Sequence, residues 1–227
     1  ETIGIIGPTG SGKSTLVNLV PRFYDAISGT LFVDGVDVTL LSQEKLRAEI
    51  AVVPQKALLF SGTIAENLRW GKPDATDEEI RRAAQIACAD AFVQSFPDGY
   101  ETNLGQGGVN LSGGQKRRVA IAGVLAMEPR LLVLDEPAAG LDPEGRDMIL
   151  GQIREYHKQT GSTIVLVSHS MEDIAKYADR VLVMNAGRIA MYDATDKVFA
   201  RAPELLELGL SVPQVTKVFL KLREMGG

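Results

Sequence analysis

The segment GPTGSGKST, at positions 7–15, constrains the fold of this chain more than any other feature. It matches the pattern G-x-x-x-x-G-K-[ST], follows the short apolar run TIGIIG and opens the helical segment KSTLVNLV, which Pro21 ends. A glycine loop in this position exposes backbone N–H groups at a helix N-terminus, where the helix dipole also attracts an anion. The pattern predicts a strand, a phosphate-binding loop and a helix.

The residues of this loop are candidates for nucleotide binding. Lys13 is positioned to reach the β- and γ-phosphate oxygens, and the Ser14 hydroxyl to ligate Mg²⁺. The alternative is a glycine turn with a solvated lysine, which the spacing and the flanking segments disfavour. The candidate binding residues are Gly7, Pro8, Thr9, Gly10, Ser11, Gly12, Lys13, Ser14 and Thr15.

Two later apolar runs are expected to bring further polar groups to this loop. RLLVLDE (130–136) and STIVLVSH (162–169) are typical of neighbouring strands buried in a parallel sheet, whose carboxyl ends open on one crevice. Asp135 would then hold Mg²⁺, and Glu136 would act as general base toward an attacking water. His169 could bond the γ-phosphate or that water, although a histidine at a strand end is often only structural.

Gln55 follows a short predicted strand, 51–53, at the point where strand signals give way to helical ones. Its amide could contact Mg²⁺ or water and its backbone could act as a hinge, with an ordinary surface glutamine as the alternative. Helical spacing then dominates from Ser61 to about Ala126, with almost no strand signal. The pattern predicts an α/β core with a helical insertion.

Further elements follow from local patterns. The segments 29–38 and 180–193 are predicted hairpins, 42–50 is a short helix, and 145–159 is the helix that connects the two apolar runs. The tail from 197 to 227 has helical spacing throughout. Its apolar stripe could pack on the core of the chain or contact a partner.

Composition excludes several classes of function. The net charge of −5 argues against nucleic acid as a partner, and no apolar run approaches the roughly 18 residues of a membrane span. No signal peptide is recognisable, and the single cysteine, Cys88, fits a reducing compartment and core packing on a helix face. These features predict a cytoplasmic protein. His157 is expected on a solvated helix face.

The stretch GGVNLSGGQKRRVAIAG, at 107–123, raises a separate question, because it is a second glycine loop that leads into a helix. Its backbone N–H groups would also suit an anion. The residues of interest are Leu111, Ser112, Gly113, Gly114 and Gln115.

With the phosphate loop, LSGGQ and LLVLDEP in this order, nearly the whole chain resembles the nucleotide-binding domain of an ABC transporter. The resemblance implies the fold class: an α/β P-loop NTPase (RecA-like) with a mostly parallel sheet, an inserted α-helical subdomain and a helical C-terminal tail. It also implies domain limits of 1–54 and 127–196 for the ATP-binding core, 55–126 for the helical subdomain with the signature, and 197–227 for the extension.

The resemblance implies ATP and Mg²⁺ as cofactors, and it assigns roles to single residues. Gln55 corresponds to the Q-loop, His169 to the switch histidine, and Asp142, in AAGLD, to the D-loop. The metal ligands would be Ser14, Gln55 and Asp135, and the catalytic residues Glu136, His169 and Gln55. In this family two domains associate head to tail, so the LSGGQ signature would meet an ATP held by a second copy. Transmembrane domains would be further partners of a natural transporter subunit, at the cytoplasmic face of the membrane.

The sequence departs from the family pattern in three places. The part up to and including the signature resembles bacterial exporters, and the part from KRRVAIAG onward resembles ATPases of energy-coupling-factor importers, which predicts an engineered chimera with a seam near 110–118. Natural mosaic drift is the alternative. No upstream adenine-stacking segment is present, which predicts weak base selectivity. Gln106 stands where exporters usually carry an acidic residue that contacts the membrane domain.

Three functions are therefore considered. The first is the ATP-hydrolysing motor of a transporter. The second is a chimeric or truncated domain that folds and binds nucleotide without transport or efficient hydrolysis. The third, a soluble ABC ATPase of DNA repair or translation, is disfavoured by the acidic charge and by the lack of a long coiled-coil insertion.

Overall fold

The computed structural model describes residues 1–224, and the predicted apolar runs form its central sheet. In chain order, the strands of these residues are β1 (Thr2–Ile6), β2 (Phe32–Val33), β3 (Val36–Asp37), β4 (Ile50–Val53), β5 (Gly62–Thr63), β6 (Asn103–Leu104), β7 (Leu131–Asp135), β8 (Thr163–Val167), β9 (Arg180–Asn185) and β10 (Arg188–Ala194). A six-stranded sheet has the order β10-β9-β1-β8-β7-β4, parallel except for β10. This confirms the predicted α/β core.

Helices connect the strands and continue beyond them. They are α1 (Lys13–Leu19), α2 (Gln43–Glu49), α3 (Ile64–Leu68), α4 (Asp77–Ile86), α5 (Asp90–Gln94), α6 (Gly113–Leu125), α7 (Pro143–Thr160), α8 (Met171–Tyr177), α9 (Thr195–Ala200), α10 (Ala202–Glu207) and α11 (Gln214–Glu224). The predicted connecting helix is α7, which begins at a proline, a residue suited to the first helical turn. None of the described helices combines the length and apolarity that a membrane crossing requires.

The strand register aligns the carboxyl ends of the parallel strands at one edge of the sheet. Ile5 of β1 and Asp135 of β7 both pair with Val167 of β8. The segments that follow β1, β4, β7 and β8 therefore emerge side by side. These segments carry the phosphate loop and the candidate polar residues predicted from sequence.

The apolar runs are continuous because both faces of the sheet are covered. Leu132 and Ile164 on the sheet belong to one buried cluster with Leu68, Ile121 and Leu125 of the intervening helices. Full burial of such a side chain contributes about 1.5–3 kcal/mol to folding. The helices of the insertion and the sheet therefore share one hydrophobic core. The domain limits given from the sequence, with breaks after residues 54, 126 and 196, stay a prediction.

The insertion is less purely helical than its spacing predicts. β5 and β6 form a short antiparallel pair, with Gly62 opposite Leu104 and Thr63 opposite Asn103. Strands of two residues are too short to show a period of two in the sequence, so this pair had no detectable signal.

Two side chains differ from their sequence-based predictions. Cys88 lies beyond the end of α4, in a turn with φ 54°, and burial raises the pKa of its half-buried thiol. His157 is half-buried near the end of α7, and its Nδ1 contacts the Ser162 carbonyl oxygen. Neither residue lies on the helix face that its neighbours in the sequence suggested.

The hairpins and the tail complete the chain. β2 and β3 pair with each other, and in the described residues this hairpin has no other strand partner. The tail is helical, as predicted, as far as Glu224, and the apolar stripe of α11, which includes Val215 and Phe219, is exposed. The stripe therefore does not pack on the core. The last predicted tail residues, 225–227, lie outside the described residues.

Candidate active site

The phosphate loop is an open cradle at the start of α1. Gly10 and Gly12 have φ of 78° and 97°, a backbone region that other residues rarely adopt. The Ser11 amide donates to the Pro8 carbonyl at 3.1 Å, and the Gly187 amide of the β9–β10 turn donates to the Ser11 carbonyl at 3.1 Å. The loop is thus held by its own turn and by a neighbouring hairpin.

Lys13 is the buried cation of this loop. Its Nζ donates to the Gly7 carbonyl at 2.7 Å and to the Pro8 carbonyl at 3.0 Å. Burial lowers the pKa of Lys13, and the nearby carboxylates of Glu136 and Asp135 oppose that shift. Gly7 and Pro8 therefore serve the site through their carbonyls, which hold the ammonium group in place.

A serine and an aspartate form the candidate metal site. Ser14 Oγ donates to Asp135 Oδ2 at 3.2 Å, so the residue after Lys13 and the last residue of β7 lie in contact. Hydroxyl and carboxylate oxygens are the ligands that Mg²⁺ prefers, and Mg²⁺ commonly takes only one or two protein ligands, the rest being phosphate and water. These residues fit an Mg²⁺ ion bound together with a nucleotide.

Glu136 is held in an unusual backbone conformation beside the loop. Its φ is 53°, and its amide donates to the Val167 carbonyl of β8 at 2.9 Å. The side chain is only 14% exposed, and Oε1 lies 3.6 Å from Nε2 of His169, too far for a direct hydrogen bond. In the described residues this buried oxygen has no hydrogen-bond partner. Burial raises the pKa of Glu136, with the His169 ring opposing the shift.

All these groups line one cavity of about 470 Å³ at the carboxyl edge of the sheet. The register brings together the phosphate loop, Gln55, the two carboxylates and His169, as the sequence predicted from separate segments. Its lining residues are Thr9, Gly10, Ser11, Gly12, Lys13, Ser14, Thr15, Gln55, Asp135, Glu136, Val167 and His169. The unpaired Oε1 of Glu136 and the open glycine loop leave room for a phosphate group and a water molecule.

The signature residues form a separate feature that does not line this cavity. Ser112 caps α6: its Oγ accepts from the Gln115 amide at 3.2 Å, and Gln115 Oε1 accepts from the Ser112 amide at 2.9 Å. Leu111 is buried beneath the turn. The amides of Gly113 and Gly114 are in the first helical turn, where no intrahelical acceptor is available.

Asp142 also lies outside the cavity. It is the N-cap of α7, and its Oδ1 accepts from the Gly145 amide at 3.1 Å. The preceding residue, Leu141, lies close to the signature, because a Cβ added to Gly114 would be 2.9 Å from Leu141 Cδ2. The D-loop segment and the signature are therefore neighbours on one surface.

Arg117 belongs to the site, although the sequence analysis assigned it no role. This buried side chain of α6 donates through Nη1 to the Glu136 carbonyl at 2.8 Å and through Nη2 to the Gln55 carbonyl. One signal could have found it: Arg117 continues the helical spacing of the buried residues Ile121 and Leu125. An arginine in an apolar stripe needs buried partners.

Comparison with known proteins identifies the family. The model of the ABC transporter family matches residues 1–139. The chain belongs to the ABC transporter family. Since the phosphate loop, the paired carboxylates and the signature are all on this chain, it is the nucleotide-binding ATPase domain of that family.

Two groups of ABC proteins are similar to the chain over most of its length. An energy-coupling factor transporter ATP-binding protein, EcfA2, from Clostridium perfringens (strain 13 / Type A) is 44% identical over 232 residues, which cover 100% of this chain and 80% of that protein. A putative multidrug export ATP-binding/permease protein, YgaD, from Bacillus subtilis (strain 168) is 45% identical over 198 residues, which cover 87% of this chain and 34% of that protein.

A solved ABC structure also matches the fold. A bacterial Atm1-family ABC exporter with ATP bound superposes with a TM-score of 0.85 at 35% sequence identity, covering 91% of this chain and 36% of that one. The P-loop NTPase fold inferred from the sequence is thereby confirmed.

Proposed function

We propose that this chain binds Mg·ATP in the cavity at the carboxyl edge of the sheet and hydrolyses it, as the motor domain of a membrane transporter. One observation carries the proposal: Lys13, the contacting pair Ser14 and Asp135, and Glu136, whose Oε1 has no hydrogen-bond partner in the described residues, all line the same 470 Å³ cavity. Phosphate release that requires both ATP and Mg²⁺ tests it directly. If the chain releases no phosphate with any combination of nucleotide and metal, the proposal is wrong. The remaining function would then be a domain that folds and binds nucleotide without hydrolysing it.

The chemistry assigned to the side chains is in-line phosphoryl transfer to water. Water oxygen forms a bond to the γ-phosphorus as the bond from that phosphorus to the β,γ-bridging oxygen breaks, giving ADP and phosphate. The Glu136 carboxylate accepts the proton that the water loses and passes it to the phosphate or to solvent. The raised pKa of Glu136 brings it nearer to the pH at which it must accept a proton.

The other cavity residues position the reactants. Lys13 places a buried positive charge where the transferred phosphoryl group gathers negative charge. His169 is within reach of the Glu136 side chain and can orient the water or the γ-phosphate through its ring nitrogen. Ser14, Asp135 and the Gln55 amide would hold Mg²⁺, which when bound would neutralise part of the charge of the phosphates.

The first prediction concerns the base of the nucleotide. None of the described residues that line the cavity is aromatic, so the cavity itself offers the base no ring to stack on. Because stacking contributes about 1–3 kcal/mol per base, its absence should leave the Kd values for ATP and GTP within about tenfold of each other. Titration calorimetry with Mg²⁺ and ATP, GTP or inorganic triphosphate measures this. A clear preference for ATP beyond that margin would contradict it.

We also propose that the signature acts on a second copy of the chain, in a head-to-tail dimer with two ATP molecules at the interface. The signature lies outside the cavity of its own chain, and its first-turn amides at Gly113 and Gly114 are available to an anion. Membrane-spanning partners at the cytoplasmic face would convert dimer closure into transport. The energy-coupling factor transporter protein and the multidrug export protein are almost equally identical to the chain, at 44% and 45%, so this similarity does not choose between the two kinds of transporter. The mosaic origin of the sequence stays a prediction.

A pair of glycine substitutions tests the dimer. A Cβ added to Gly113 or to Gly151 meets no described atom within 4 Å, so both alanine variants should fold. Gly113→Ala keeps the backbone amide but puts a methyl group where a phosphate would approach it, and losing access to one such donor costs about 100-fold or more in rate. Gly151→Ala, inside α7, is the matched control.

The readouts are phosphate release and, in a Glu136→Gln background that slows turnover, ATP-dependent dimer formation on size exclusion. We expect Gly113→Ala to lose both and Gly151→Ala to keep both. Equal dimer formation by the two variants would overturn the proposed role of the signature.

A further inference from the structure

Arg117 is a buried cation whose hydrogen-bond partners are backbone carbonyls. Its side chain is on the core-facing stripe of α6 and is 6% exposed. In the part of the chain that the structure describes, no carboxylate oxygen lies within 4.0 Å of its guanidinium, and two of its donors reach the carbonyls of Gln55 and Glu136. Burying a charge without an ion pair costs free energy, and these two hydrogen bonds are what offsets that cost. Their geometry therefore indicates what the residue does.

The two carbonyls belong to the two segments that carry cavity side chains. The Gln55 segment follows β4, Glu136 follows β7, and both side chains line the cavity. The rigid fork of a guanidinium fixes the distance between its two acceptors, which a lysine ammonium cannot do. Arg117 thus bridges Gln55 and Glu136, which both lie just beyond the last paired residues of their strands, Val53 of β4 and Asp135 of β7.

Arg117 also contacts a residue with an unusual backbone conformation, Glu136. Its φ of 53° lies in the left-handed region, which is unfavourable for a residue with a long side chain. Hydrogen bonds hold the residue on both sides: its amide donates to Val167, and its carbonyl accepts both from the Ala139 amide at 3.1 Å and from Arg117 at 2.8 Å. The Arg117 bond is the one of these three that comes from α6, so its loss disconnects the Glu136 backbone from that helix.

The neighbouring arginine shows that this link is specific to position 117. Arg118 is on the same helix, but its guanidinium contacts the Cys88 carbonyl at 3.3 Å and lies 5.3 Å from the centre of the Phe92 ring. Those partners belong to the helical insertion. Arg117 points the other way, so it connects α6, whose first turn is the signature, to the edge of the sheet.

We propose that Arg117 is the positioning residue that ties the signature helix to the Gln55 loop and to the hydrolytic carboxylate of the same chain. When ATP on a second copy docks on the first turn of α6, the shift of the helix is passed through the Arg117 side chain to Gln55 and Glu136. Binding by the signature and hydrolysis in the neighbouring cavity are coupled in this way. The inference rests on the proposed ATPase function, and its test includes a readout that needs no turnover.

The experiment compares Arg117→Met, Arg117→Lys and Arg154→Met in the full chain. Arg154 is an exposed arginine of α7 and serves as the control. We expect Arg117→Met to lower kcat by about 10- to 100-fold with little change in KM for ATP, since the variant misplaces Glu136 without touching the phosphate loop. Arg117→Lys keeps the charge but loses the fork, and should recover only part of the rate.

Hydrogen exchange supplies the readout that is independent of activity. Peptides covering 53–60 and 134–140 should exchange faster in Arg117→Met than in Arg154→Met, in the absence of nucleotide, while peptides of β8 keep their protection. If wild type and Arg154→Met release no phosphate, the proposed ATPase function fails, and the exchange data still decide the positioning role.

Three results would overturn the inference. One is a kcat of Arg117→Met within twofold of the control, and another is unchanged exchange in both peptides. The third applies if Arg117→Met does not fold. If Arg117→Lys then matches wild type in kcat and in hydrogen exchange, Arg117 stabilises the hydrophobic core and does not position the site residues. Slower turnover by a stably folded Arg117→Lys, with the KM for ATP retained, supports the inference in that case.

Discussion

Replacement of Glu136 by Gln is expected to slow ATP hydrolysis by at least about 100-fold, because an amide cannot accept the proton of the attacking water. Glu136 is the cavity carboxylate whose buried oxygen has no hydrogen-bond partner in the described residues. ATP binding should survive, since Lys13 and Ser14 are unchanged, so ATP should trap the variant as a dimer. Phosphate release and size exclusion with ATP measure the two effects.

The matched control is Glu207→Gln, which makes the same charge change at an exposed position of α10. It should hydrolyse ATP at the wild-type rate and elute as wild type does. Equal rates for the two variants would show that Glu136 is not the base, and a uniformly low background rate would support the non-hydrolysing scaffold.

The same substitution should change the dependence of stability on pH. Burial raises the pKa of Glu136 in the folded chain above its value in the unfolded chain, so the folded state holds this proton more tightly. That contribution to stability is complete below the unfolded pKa and is lost as the pH rises through the folded pKa. Above it, the ionised carboxylate destabilises the fold. Relative to wild type, Glu136→Gln should therefore gain in free energy of unfolding as the pH rises across that range, which denaturant titrations at a series of pH values measure.

The second large effect is expected for Lys13→Ala, which should weaken ATP binding by about 100-fold or more. Lys13 is the buried ammonium at the mouth of the loop, and hydrogen bonds to charged groups contribute about 1.5–3 kcal/mol each. Its loss also removes the donor shared by the Gly7 and Pro8 carbonyls, so the loop itself should loosen. Calorimetric titration with Mg·ATP gives the affinity.

Thermal unfolding separates lost binding from lost folding. Mg·ATP should raise the Tm of wild type and of the control Lys158→Ala, an exposed lysine of α7, and at the same concentration should raise the Tm of Lys13→Ala much less. Lys13→Ala must itself show a cooperative transition for the comparison to hold. A normal ATP-dependent rise in its Tm would refute the assigned role of Lys13.

Most of the cavity could be predicted from the sequence because its residues follow strands with strong local patterns. The phosphate loop is contiguous, and its spacing carries its own structural context. Asp135 and His169 are far apart in the chain, yet each ends a continuous apolar run, and the parallel register places such ends at one edge of the sheet. Local pattern and topology agree there, so the prediction needed no knowledge of side-chain contacts.

The parts that could not be predicted depend on contacts between distant segments. Arg117 is the middle one of three consecutive basic residues, and although it continues the spacing of Ile121 and Leu125, its partners follow only from the packing of α6 near β4. The turn at Cys88 is a case of tertiary structure overriding helical spacing, since α4 ends before the pattern does. β5 and β6 are strands only because they pair with each other across a long stretch of chain, and neither has a strand signal in its own sequence.

The left-handed backbone of Glu136 has a consequence for how this position can vary. Glycine and asparagine adopt a φ near 53° more readily than glutamate does, yet neither can take a proton from water. Selection for a robust fold and selection for turnover therefore favour different residues at this one site. A glutamate that persists here in a population of variants records that catalysis, and not folding, has been under selection.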